Sequence, residues 1–223
     1  MSRAQTSLVA ALLPLILGIV VYVLVPDGAG GFAQTGTRLG LLVILVAAGF
    51  GATVRAYGRD AILYDGVMLL SGAGAASAIA FVGGLDVDAA SRAAAVAGLA
   101  WGLPLAYSMP FRALGLVTTG RVTYLVAAAA MLGTPWLVPM EWNELPSWVL
   151  EWNPLSRLHG AVLEEDWFHG PVLYRRLGEN LYRYPGWAEC LALQLKLAVR
   201  AVALAAVFGL ARADYVALRA TQA

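Results

Sequence analysis

The stretch SLVAALLPLILGIVVYVLV, Ser7 to Val25, lies in an uncharged run between Arg3 and Asp27 and is closed by Pro26. A helix needs about 20 apolar residues to cross a hydrocarbon core of roughly 30 Å, so this stretch predicts a membrane span. A cleaved signal peptide is the competing reading. Its apolar run would be longer than the usual h-region of about 7–15 residues, and no A-x-A site follows, so the span is retained.

Five more windows follow outward from this one. GLLVILVAAGFGATV precedes Arg55, with the uncharged AGGFAQTGT before Arg38 as an extension. Gly66 to Leu85 is rich in Gly, Ala and Ser, which let membrane helices approach closely. Ala93 to Phe111 carries Pro104 and Pro110, which predict a kink or a break. Val122 to Met140 ends in TPWLVP, and Ala188 to Ala211 is followed by the polar tail RADYVALRATQA. The expected fold is an all-α integral membrane protein with six transmembrane helices, a single transmembrane domain over 1–223. Residues 141–187 form a long amphipathic interfacial or extracytoplasmic loop between helices five and six; they hold five of the seven tryptophans, both histidines and seven acidic residues.

Composition agrees with membrane insertion. Hydrophobic residues make up 60% and charged residues 13%, with a mean hydropathy of +0.71. Soluble domains are nearer about 45–50% apolar and about a quarter charged. A net charge of +1 leaves no cationic field for nucleic acid. With one cysteine, Cys190, the chain can build neither an internal disulfide nor a CxxC zinc or iron–sulfur site. Its single lysine, Lys196, is followed by Leu197 and Ala198, so the GxxxxGK[ST] phosphate loop is absent and ATP hydrolysis by that route needs a second protein. No catalytic residue, metal or cofactor is expected, and the chain is read as not an enzyme.

With both termini cytoplasmic, Arg3, Arg55, Arg59, Arg112, Arg121, Arg212 and Arg219 fall inside, against Arg38 and Arg92 in short outside loops. The long loop adds Arg157, Arg175, Arg176 and Arg183 outside, which narrows the bias. A multi-pass protein of the cytoplasmic (inner) membrane in this orientation is the expectation.

Four groups of residues were candidates for chemistry. In RAYGRDAILYDG, Arg55 to Gly66, charges and tyrosines either offer a surface to a soluble partner or form a solvated connector. His159, Glu164, Glu165, Asp166 and His169 include metal-ligating types, but the histidines are ten apart rather than the four of HExxH, so an acidic wet lip is preferred. Lys196 and Arg200, four apart in the last window, either face a protein interior or water, or snorkel to headgroups. Ser156 and His159 lack the GxSxG elbow of a nucleophilic site.

Three stretches together carry a family resemblance: FGATVRAYGRDAILYDGVMLLS, AGLAWGLPLAYSMPFRALGLVTTGRVTYLVAAAAMLGTPWLVP and LPSWVLEWNPLSRLHGAVLE. The chain resembles the membrane subunit, or permease, of type-2 ABC exporters, in the branch similar to the G-subfamily. The resemblance implies that Arg55, Arg59, Asp60 and Tyr64 couple to a separate P-loop ATPase subunit. It implies a gate or re-entrant segment at Asn153, Pro154, Leu155 and Arg157, extending to Leu158. It also implies a homodimer or heterodimer that moves an amphipathic or lipid-like substrate by alternating access. The alternative is a structural or accessory subunit of a larger respiratory or photosynthetic membrane complex. An intramembrane enzyme using His159 or His169 comes third.

Overall fold

A computed structural model of the chain describes residues 3–25, 31–53 and 59–137, and the separate positions 153, 154, 157, 162, 188, 192, 195, 196, 199, 200, 202–204, 206 and 207. Every regular element among them is helical. The chain enters as α1 (Arg3–Leu24) and continues as α2 (Gly31–Thr53), α3 (Arg59–Val82), α4 (Val87–Ala113) and α5 (Val117–Leu137). Gln34–Thr53, Leu63–Val82 and Val87–Ala113 are long and apolar enough to cross a membrane, while Leu12–Leu24 and Val117–Gly133 are shorter apolar helical segments. These helices identify a membrane protein.

The packing explains why apolarity alone under-reads the helix limits. α3 buries Ala61, Tyr64, Asp65, Met68, Ala75, Ala76, Ile79 and Ala80, a stripe at helical spacing, and leaves Leu63, Leu70 and Phe81 exposed on its other side. α5 buries Tyr124, Ala128 and Met131 and exposes Val122, Leu125 and Val126. Apolar residues on both faces suit a helix that meets protein on one side and hydrocarbon on the other. α2 begins at Gly31 and contains Arg38, whose side chain finds a partner in the Val25 carbonyl, and α3 begins at Arg59.

α4 runs unbroken through Pro104 and Pro110, where a kink or break is expected from sequence. Each proline forfeits one intrahelical hydrogen bond, a loss tolerable where neighbouring helices enclose the site. Pro104 is buried, and α4 packs extensively on both α3 and α5.

The bundle has two ends. At one, Gly84 adopts φ 88° in the turn from α3 to α4, and Asp86 caps α4 by accepting a hydrogen bond from the Ala89 amide at 2.7 Å. Also there, Arg38 donates from Nε (3.0 Å) and Nη2 (2.5 Å) to the Val25 carbonyl, and its guanidinium lies 4.1 Å from the Tyr22 ring centroid. Arg38 thus closes the C-terminal end of α1, where carbonyls lack helical partners. At the opposite end Gly115, at φ 80°, turns α4 into α5.

At the centre, Trp101 of α4 donates its indole N–H to the Val43 carbonyl of α2 at 3.0 Å. Phe50 stacks with Trp101 and Tyr124 at centroid separations of 6.4 and 6.2 Å. The Trp101 ring fits because Gly72 faces it: a Cβ there would sit 2.3 Å from the ring. Glycine supplies closeness that no larger residue allows.

Candidate functional site

Near the Gly115 end, three helices bring polar side chains into the protein interior. Arg112, in the last turn of α4, reaches Asp65 in the second turn of α3, with Nη2 to Oδ2 at 2.7 Å. The arginine side chain is 0% exposed and the aspartate 10%. Charges so enclosed are retained only when paired, because desolvation is costly on both sides. Gly120 of α5 makes room for the arginine stem; a Cβ there would lie 2.8 Å from Arg112 Cγ. Tyr124 is also fully buried, and its hydroxyl makes no hydrogen bond among the described residues. Ser108, one turn before Arg112, instead donates to the Leu105 carbonyl at 2.6 Å.

The arrangement is a mechanical tie. Asp65 lies six residues into α3, or about 9 Å along its axis at 1.5 Å per residue. The ion pair joins that level of α3 to the C-terminal turn of α4, and Gly120 packs the start of α5 against the same arginine. One buried arginine thus contacts both α3 and α5 from the end of α4.

The residues proposed for ATPase coupling divide. Arg59 and Asp60 form the first turn of α3, continuous with the apolar segment rather than in a separate interfacial helix. Tyr64 is 3% exposed and packs inside the bundle, one residue before Asp65. Arg55 lies outside the described residues.

Of the gate residues, Asn153, Pro154 and Arg157 are buried, and Leu155 is outside the described residues. Asn153, fully buried, donates from Nδ2 to the Leu132 carbonyl of α5 at 2.9 Å. The Arg157 amide donates to the Asn153 carbonyl at 3.3 Å, one helical turn, and Val162 joins the hydrophobic core. Leu132 lies fifteen residues into α5, about 22 Å from its start, so this segment packs toward the Gly84 end. Lys196 and Arg200 are helical and exposed. The His159–His169 cluster lies outside the described residues, and no group of metal-ligating side chains is found among those described.

Sequence reasoning passed over Arg112, counted there only as a cytoplasmic arginine, and Tyr124, read as part of an apolar span. Their signal was the placement of Asp65 and Arg112 one residue outside the facing ends of two consecutive spans, Gly66 to Leu85 and Ala93 to Phe111. Opposite charges so placed stand at the same depth in an antiparallel pair of helices, and they meet where both face the partner helix.

No protein-family model, curated protein or solved structure matches the sequence.

Proposed function

We propose that the chain is the six-span permease subunit of an ABC-type exporter, seated in the cytoplasmic membrane with both termini cytoplasmic. It works as a dimer with a separate P-loop ATPase, moving an amphipathic or lipid-like substrate by alternating access. The observation that carries this reading is the continuity of α3 from Arg59 through Asp65 to Val82. A partner that pushes on Arg59 and Asp60 acts on a rigid helix tied by Asp65 to Arg112, so domain closure on the ATPase becomes motion of α3, α4 and α5 together.

Two further features support it. The buried Asn153–Arg157 turn on the opposite end of α5 provides a second packed element at the other mouth of a path. A groove of about 460 Å³ between α1 and α3, lined by Leu15, Gly18, Tyr22, Ala75 and Ile79, is apolar and suits the chain of a lipid-like substrate.

The test is a pair of charge-removing variants. Arg59→Ala with Asp60→Ala should release the ATPase, or abolish stimulation of its turnover, while the membrane subunit still elutes as a monodisperse assembly. Unchanged ATPase association and unchanged stimulation would refute the coupling role.

A further inference from the structure

α4 is pinned at two levels, and its prolines lie between them. Three residues before Pro104, Trp101 donates to the Val43 carbonyl at 3.0 Å and its ring fits against Gly72 of α3. Beyond Pro104, Arg112 pairs with Asp65 of α3 at 2.7 Å, and its stem lies against Gly120 of α5. Proline has no N–H, so the Ala100 carbonyl lacks the donor that residue 104 normally supplies, and the Ala106 carbonyl lacks that of residue 110. Ser108 adds a side-chain bond to the Leu105 carbonyl at 2.6 Å, of the kind that competes with the backbone ladder. α3, packed along α4, has no proline from Arg59 to Val82. The ladder of α4 is therefore weakest between its two anchors, and the arm beyond Pro104, Leu105 to Ala113, is about 13 Å long at 1.5 Å per residue.

We infer that the Asp65–Arg112 pair is a latch on this arm: while the charges are paired the arm stays closed on α3 and α5, and when they part it bends away from α3 at Pro104. The driving force is the arginine itself. Its side chain is 0% exposed, and a guanidinium that loses its carboxylate in so enclosed a place is strongly disfavoured there. The nearest exit is the end of the bundle, since Arg112 stands just before exposed Leu114, Gly115 and Leu116. A bend of about 20°, the size of an ordinary proline kink, moves the far end of the arm by about 5 Å. The inference stands apart from the permease reading, because it needs neither an ATPase nor a substrate.

The test is a distance across the bundle. Spin labels at Leu114→Cys, on the end of the arm, and Leu12→Cys on α1, both exposed positions, in a Cys190→Ser background report it by double electron–electron resonance in lipid nanodiscs. With the natural charges one narrow distance is expected. Asp65→Asn should add a second population, shifted by up to about 5 Å. Gly120→Ala should add the same population with both charges kept, because its Cβ would stand 2.8 Å from Arg112 Cγ and a bend at Pro104 relieves that contact. Pro104→Ala returns an N–H to the Ala100 carbonyl and should collapse the second population in either background. Asp65→Leu with Arg112→Met leaves no charge to expel and should keep the single distance. One unchanged distance in both Asp65→Asn and Gly120→Ala would overturn the inference. So would a second population that survives Pro104→Ala, or one that appears in the charge-free double variant, since either is a general loosening of the bundle and not a hinged arm.

Discussion

Breaking the Asp65–Arg112 pair from either side should destabilise the protein far more than removing both charges at once. Unit charges 2.7 Å apart attract by roughly 6 kcal/mol at an effective dielectric of 20. Desolvation of two enclosed groups cancels much of that, so the net value of the pair is small. The loss on removing one partner is not small, because the other is left buried and uncompensated. Asp65→Leu alone should cost about 3–5 kcal/mol, and Arg112→Met alone a similar amount. Asp65→Leu with Arg112→Met fills the same volume with apolar atoms and should fall within about 1–2 kcal/mol of the natural protein. The coupling energy is then at least about 3 kcal/mol, or more than 100-fold in the folding equilibrium. Unfolding by sodium dodecyl sulfate in mixed micelles, followed by tryptophan fluorescence, measures all four proteins of the cycle. Additive effects, or single variants costing less than about 1 kcal/mol, would refute the claim that the two charges are paired in an enclosed site. On the proposed permease reading, the stable double variant should fold and retain a bound ATPase yet fail to export.

Gly72→Ala places a Cβ 2.3 Å from the Trp101 ring, whose indole is anchored to Val43, and should cost about 1–3 kcal/mol in the same unfolding assay. Gly51→Ala meets Leu125 at 2.2 Å from Cδ2 and 2.8 Å from Cγ, but that leucine is 44% exposed whereas Trp101 is fully buried, so its cost should be smaller than that of Gly72→Ala; the reverse order would count against the packing described. Asn153→Ala removes the hydrogen bond from a fully buried side chain to the Leu132 carbonyl of α5 and should cost about 1 kcal/mol, whereas no measurable effect would mean the turn does not dock on α5. Tyr124→Phe removes a buried hydroxyl with no hydrogen bond among the described residues, so thermal stability should hold or rise; a loss above about 1.5 kcal/mol would reveal a partner for it.

What the sequence made legible follows from how membrane helices are built. An uncharged apolar run shows itself wherever the surroundings are hydrocarbon, so the segments around Val43, Ala76 and Ala100 were readable without any knowledge of packing. Helix limits were less so: Gly31 to Thr37 read only as a possible extension of its span, and Arg59 to Asp65 as part of a partner-facing surface or a solvated connector. Across the bundle Thr35, near the start of α2, donates to the Gly83 carbonyl at 3.4 Å, a contact that the sequence does not reveal. The arginines show the same limit. Arg38 and Arg112 read as topology markers, yet both are buried and tied to groups that are distant in sequence, Val25 and Asp65. Only the three-dimensional neighbours distinguish an arginine at the membrane surface from one inside the protein. Asn153 was singled out through a resemblance, and its bond to Leu132 gives that residue a physical role that no spacing rule contained.

The most direct test of the permease reading is purification of the full chain from its native membrane in a mild detergent, with quantitative mass spectrometry of everything that remains bound. A P-loop ATPase in stoichiometric amount, lost when Arg59 and Asp60 are replaced and kept when Tyr124 is changed to Phe, is the expected result. A redox or pigment assembly containing no ATPase would contradict it and assign the helices to scaffolding instead.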